Sequence, residues 1–256
     1  QQQAGNFQNQ IFQMIEGEKL GSFWGYTFAG VWQEDDVNAP FVDANGQTNG
    51  KTNGEVYKVK PGNSKYVDVN KDGVYNDADQ GIIGCGQPTF NWGWNNTFNY
   101  KNFDFSFFVV GFHGFDIYNA THQMGYNLIK SQQMAGVTPM RELLNRWTPT
   151  NTNTDIPGFV KGGTENKDFF STRFVENGSF IKMKSITLGY TLPEATCRSL
   201  GINNLRVYAS VQNPFHITKY SGLDPEATMG SPLVQGVDWG AYPNSRNYLI
   251  GLNFSF

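Results

Sequence analysis

The stretch NYLIGLNFSF, Asn247 to Phe256, carries an apolar side chain at every second position from Tyr248 to its end. In a β-strand successive side chains point to opposite faces, so Tyr248, Ile250, Leu252, Phe254 and Phe256 share one face, while Leu249, Gly251, Asn253 and Ser255 share the other. A strand of this kind needs water on one side and an apolar neighbour on the other. That neighbour is either a second sheet or lipid, and one segment does not choose between them.

Repetition does. Residues 90–100 put Phe90, Trp92, Trp94, Phe98 and Tyr100 opposite Asn91, Gly93, Asn95, Thr97 and Asn99. After Lys101-Asn102, Phe103, Phe105, Phe107 and Val109 oppose Asp104 and Ser106, the pattern of a tight hairpin. Ile186, Leu188 and Tyr190 oppose Thr187, Gly189 and Thr191; Leu205, Val207, Ala209 and Val211 oppose Arg206, Tyr208, Ser210 and Gln212; Trp24, Tyr26, Phe28 and Trp32 oppose Gly25, Thr27 and Ala29. The outer face of a soluble sandwich carries Lys, Glu and Thr. Here the polar face is mostly Asn, Gly and Ser. Trp24, Trp32, Trp92, Tyr100, Tyr190 and Tyr248 fall toward strand ends, where a membrane barrel carries its aromatic girdles.

The connections agree. Those after residues 32, 112 and 213 are long, whereas Lys101-Asn102 and Pro193 to Asn204 are short, so long and short alternate as extracellular loops and periplasmic turns do. The reading is an all-β chain, an antiparallel transmembrane β-barrel segment of about six strands with long extracellular loops. Six strands cannot close, because an open edge in lipid leaves backbone groups unsatisfied. The chain opens QQQAGNFQNQ with neither an initiator Met nor a signal peptide, and is expected to be a piece of something longer.

Composition excludes other classes. Only 16% of residues are charged against 15% aromatic, with 29 glycines and 11 prolines, a chain of strands and turns. No run approaches the roughly 18 apolar residues of a membrane-spanning helix. A net charge of -3 supplies no basic patch for nucleic acid. Cys85 and Cys197 lack C-x-x-C spacing and fit either one bridge or two thiols.

One motif points to a metal. DVNKDGVYNDAD, Asp68 to Asp79, fills each position of an EF-hand-type calcium loop: Asp68, Asn70, Asp72, Val74 through its carbonyl, Asn76 and Asp79 as ligands, with Gly73 at the sharp turn. Position 12 is Asp instead of Glu, as in dockerin loops. Oxygen donors alone favour calcium, with a structural role in a long extracellular loop that has little apolar area to hold it. The second long connection predicts a helix over about Pro139 to Trp147, with Leu143, Leu144 and Trp147 on one face. In the third, Tyr220, Trp239 and Tyr242 are candidates for stacking against substrate.

Catalysis has little support. Asp68, Asp72, Asp77, Asp79, Asp224 and Glu226 could supply a carboxylate pair for glycoside cleavage, but the first group is better used as ligands and Asp224-Pro225-Glu226 reads as a turn. His113, His122 and His216 lack metal-ligand spacing, and no G-x-S-x-G motif is present. The competing readings are a secreted, calcium-stabilised carbohydrate-binding or adhesive β-domain, and a passive porin.

The blocks GSFWGYTFAGVWQ, DVNKDGVYNDADQGIIG running into PTFNWGWNNTFNYKNFDFSFFVVGFHG, NRWTPTNTNTDIP, FVENGSFIKMKSITLGYTLP, VYASVQNPFHITKYSGLDPE and YPNSRNYLIGLNFSF together resemble the C-terminal part of SusC-like TonB-dependent transporters of Bacteroidetes outer membranes. The resemblance implies a 22-stranded barrel of which residues 1–256 are the C-terminal portion, with the plug domain and earlier strands outside this chain. It implies active import of oligosaccharides or peptides across the bacterial outer membrane, beneath a SusD-like surface lipoprotein acting as a lid and driven by TonB through the N-terminal part. It also makes Phe256 similar to the terminal signal read by the barrel assembly machinery. It carries over no substrate-binding residue.

Overall fold

The computed structural model describes residues 11–13, 15–126, 140–158, 169–228 and 235–255; Phe256 and Pro139 lie outside them. In chain order the described strands are β1 Ser22–Tyr26, β2 Phe28–Val31, β3 Pro40–Val42, β4 Thr48–Thr52, β5 Ser64–Tyr66, β6 Gln80–Cys85, β7 Phe90–Tyr100, β8 Phe103–His113, β9 Asp116–Asn119, β10 Val175–Asn177, β11 Phe180–Thr191, β12 Asn204–Thr218, β13 Val237–Asp238 and β14 Asn247–Ser255. The long ones form a single five-stranded antiparallel sheet in the order β14-β12-β11-β8-β7, each strand beside its sequence neighbour among the long strands.

The register carries the alternation across the whole sheet. Phe98, Phe105, Leu188, Ala209 and Ile250 stand in one row over five strands, and Tyr100, Phe103, Tyr190, Val207 and Leu252 in another. On the opposite face the rows read Asn99, Asp104, Gly189, Tyr208, Gly251 and then Thr97, Ser106, Thr187, Ser210, Leu249. One bulge interrupts β11 between Met183 and Ser185, against both neighbours.

No layer among the described residues covers the apolar face. Trp94 is 54% exposed, Phe105 37% and Ile250 82%, and Trp92 is half-buried. An apolar band this broad is costly in water, at about 25 cal/mol per Å². An eleven-residue strand such as β7 is about 35 Å long and rises about 25 Å at a 45° tilt, the height of the apolar belt of an outer-membrane barrel.

The buried core lies instead beyond one end of the sheet, among the long connections. Ile11, Phe23, Tyr118, Ala120 and Phe174 form one cluster, and Phe115, Ile117, Phe180 and Tyr220 a second that caps the upper end of β11. Small sheets build this layer: β1 with β6, β2 with β5, β3 with β4, and β9 flanked by β10 and β13.

Two expectations are corrected here. The alternating stretch Trp24 to Trp32 does not join the five long strands. It breaks at Thr27 into β1 and β2, which pair with β6 and β5. Tyr26 and Trp32 are buried at 5% and 3% exposure, so that stripe faces protein and neither Trp24 nor Trp32 belongs to a girdle. Period-two alternation marks a half-buried strand whatever covers it. The expected helix over Pro139 to Trp147 is a single 3-10 turn, Arg141–Asn145, with Leu143 buried and Leu144 79% exposed, so the two leucines share no face. Cys85 and Cys197 are both free thiols.

Candidate functional site

The acidic loop is organised by its own side chains. Asp68 Oδ2 accepts the Gly73 N–H at 2.9 Å, closing the turn, and the Tyr57 hydroxyl at 2.8 Å. Gly73 has φ +83, a conformation that glycine alone adopts without strain. Asn70 Oδ1 accepts from Asp72 N–H, and Asp72 Oδ1 from Val74 N–H at 2.8 Å. The bond from Val74 holds the Asp72 carboxyl below its usual range. Asp72 Oδ2 gathers the side-chain amides of Asn70 at 2.9 Å and Asn76 at 3.2 Å. Asn76 caps the turn Asp77–Asp79, and buried Asp79 accepts from Val69 N–H through Oδ1 and Asn76 N–H through Oδ2.

Does this set suit a cation? Asp68 Oδ1 is shut off from solvent and receives no hydrogen bond, a vacant carboxylate lone-pair set inside the loop. Rotating the Asn70 and Asn76 amides would exchange the N–H groups aimed at Asp72 for oxygens. Asp79, by contrast, is already engaged by two backbone donors, and among the described residues no three His, Cys, Asp or Glu side chains converge. The residues therefore fit an oxygen-rich site of low formal charge, built from Asp68 and Asp72 with amide and carbonyl oxygens, better than a carboxylate cage. Behind the loop, Tyr57 stacks on Tyr75 at 5.2 Å, and burial pushes the Tyr75 hydroxyl up to about 12.

The polar face of the sheet brings together the side chains expected there: Asn91, Asn95, Asn99, Asp104, Arg206 and Gln212 all fall on it. Arg206 makes a two-point bond to Asp104, Nε to Oδ1 at 2.8 Å and Nη2 to Oδ2 at 2.5 Å. The Thr187 and Ser210 hydroxyls share a hydrogen bond at 2.8 Å.

Near the upper end of this face lies a cluster that reading the sequence missed. Lys182 is 2% exposed and donates to Asp224 Oδ2 at 2.9 Å and Glu226 Oε2 at 2.7 Å; Lys184 pairs with Glu226 Oε1. Asn244 donates to the same two carboxylates, at 3.1 and 3.0 Å. Burial alone would raise both carboxyls, but the lysine contacts outweigh it and hold them below their ordinary range. The turn read at Asp224-Pro225-Glu226 is present, and its carboxylates are spent on lysine. The available signal was IKMKSIT, two lysines in a strand otherwise suited to a wall; the bulge at Lys184 lets both reach one carboxylate.

The three stacking candidates separate. Tyr220 is buried, with its hydroxyl 2.5 Å from Asp238 Oδ2 and its ionisation pushed up by burial, so it packs the loop. Trp239 and Tyr242 are 41% and 89% exposed.

A five-stranded antiparallel sheet, apolar and uncovered on one side, polar on the other, with its long connections gathered at one end, is wall of a membrane β-barrel. The chain is 34% identical over 98% of its length to TonB-dependent receptor P3 of Formosa agariphila, covering 24% of that protein. It is 32% identical over 77% of its length to TonB-dependent receptor SusC of Bacteroides thetaiotaomicron, covering 18% of it. In fold it is similar to the RagAB peptide importer in its open-open state, with TM-score 0.65 and 21% identity over 96% of this chain and 25% of that one. No protein-family model matches. Over most of its length the chain is thus homologous to proteins named TonB-dependent receptors, SusC among them, and its place is the bacterial outer membrane. It spans about a quarter of the length of the curated relatives first matched.

Proposed function

We propose that this chain is the C-terminal part of the barrel wall of a SusC-like importer, with the plug and the remaining strands supplied by the rest of the protein. The importer carries oligosaccharides or peptides inward across the outer membrane with energy relayed by TonB, beneath a SusD-like lipoprotein lid. The observation that carries this reading is the division of the five-stranded sheet into an uncovered apolar face and a hydrogen-bonding polar face, in a chain 34% identical to a TonB-dependent receptor. Transport here involves no covalent chemistry: the inner wall offers Asn91, Asn95, Asn99 and Gln212 as weak, exchangeable partners for a passing polar solute. Asp224 and Glu226, the carboxylates closest in sequence to a catalytic pair, serve Lys182. A secreted binding module would require its apolar face to be covered.

The acidic loop is proposed to hold a structural calcium through Asp68, Asn70, Asp72, the Val74 carbonyl and Asn76, with Asp79, the sixth residue of the motif, bracing the loop through its two backbone bonds. The vacant, buried Asp68 Oδ1 supports it. Bound calcium would supply the positive charge that lets the carboxylates approach one another and stiffen the loop.

The test is affinity purification of the full-length receptor from native outer membrane. A SusD-like lipoprotein is expected to co-elute, and solute uptake to stop when TonB is deleted. A receptor that purifies alone and transports equally without TonB contradicts the proposal and favours a passive pore.

A further inference from the structure

The connection between β12 and β14 has two described arms, residues 219–228 and 235–246, and both are tied down along their length. Tyr220 is buried between Phe115, Ile117 and Phe180. Ser221 donates to Glu176 through its backbone N–H and its hydroxyl, each at 2.8 Å. Asp224 and Glu226 close on Lys182, which projects from the polar face of β11 beside Val110 and His216. From the second arm, Asn244 grips those same carboxylates through its side chain, and its backbone N–H reaches Asp224 Oδ2 at 3.1 Å.

The second arm is also seated backbone against backbone. β13 runs parallel to β9, with Tyr118 N–H donating to Gly236 O at 2.7 Å. Gln235 Nε2 donates to Gly86 O at 3.0 Å. Gly236 has φ +85, and a Cβ there would lie 2.6 Å from Gly86 Cα and 2.9 Å from the Asp116 carbonyl oxygen. Only bare backbone fits, and a segment held this way cannot slide without breaking several contacts together.

Connections at the ends of strands are ordinarily the mobile part of a fold. From the ties above we infer that the two arms form a fixed strap, laid against the outer end of the polar wall and locked by Lys182, so that this segment does not move when the outer mouth opens. The role of the mouth rests on the importer reading; the immobility does not, and the test reads immobility alone.

The test is amide hydrogen exchange, followed by mass spectrometry, on the full-length receptor in detergent micelles without added substrate. The amides of Ser221, Glu226, Gly236 and Asn244 are expected to exchange at least about tenfold slower than an unstructured peptide. Lys182→Met is expected to speed exchange at Glu226 and Asn244 by about tenfold or more while β12 and β14 stay protected. Where Lys182→Met does not assemble, Glu226→Gln serves the same comparison. Exchange in the unaltered receptor less than about tenfold slower than the unstructured peptide overturns the fixed strap, and unchanged exchange in the variants overturns Lys182 as its lock.

Discussion

Arg206 and Asp104 meet over a glycine. The pair joins β12 to β8 across the intervening β11, and at the crossing β11 offers Gly189, where a Cβ would lie 2.5 Å from Arg206 Nη2 and 2.6 Å from Asp104 Oδ2. Gly251 does the same beneath Tyr208, whose Cε1 a Cβ would approach to 2.5 Å. Arg206 and Tyr208 therefore lie flat along the inner wall.

Gly189→Val is expected to push the two charges apart and to cost about 1–3 kcal/mol, as overpacking does. Arg206→Met is expected to cost less than about 1 kcal/mol, because both partners are about a quarter exposed and solvent screens the pair. The temperature at which the folded band is lost on unboiled gels ranks the two. Equal stability of Gly189→Val and the unaltered receptor contradicts the packing.

The strap should respond to acid with a definite sign. Asp224 and Glu226 titrate below their ordinary range in the folded protein. Their contribution is thus full above the ordinary carboxylate values, near pH 4, and is lost as pH falls through the lowered ones. Protease nicking within residues 219–228 and 235–246 is expected to stay flat from about pH 8 to 5 and to rise below about 4. Asp224→Asn should raise nicking already at neutral pH.

Calcium binding by the acidic loop is read by calorimetry on the full-length receptor. Asp68→Asn and Asp72→Ala are each expected to weaken binding about tenfold or more, and chelation to make residues 68–79 cleavable. Gly73→Val is expected to do both, since its φ of +83 and the turn it forms suit no branched side chain. Absence of heat on adding millimolar calcium to the chelated receptor contradicts the site.

The long strands were legible because their alternation survives over about six to eleven residues in five separate segments. Trp24 to Trp32 shows the limit: the same period arises when the apolar side meets Tyr66 and Phe169 in the outer layer. Periodicity reports that a face is covered and is silent about what covers it. The sharp turn of the acidic loop was legible because the glycine at position 73 is a local backbone requirement. The Lys182 cluster was not, because Asp224 and Asn244 lie 42 and more residues away, and only the register of β11 and the bulge at Lys184 bring them together.

Adjacent residues of β14 give the sharpest test of a lipid-facing wall. Leu249 and Ile250 are both exposed aliphatic side chains, at 51% and 82%, on opposite faces of one strand. With lipid against the Ile250 face, Ile250→Lys costs about 2–4 kcal/mol and Leu249→Lys far less. Assembled, heat-modifiable receptor in the outer membrane should therefore fall sharply for Ile250→Lys and persist for Leu249→Lys. Equal yields, or the reverse order, would contradict the assignment of that face to lipid.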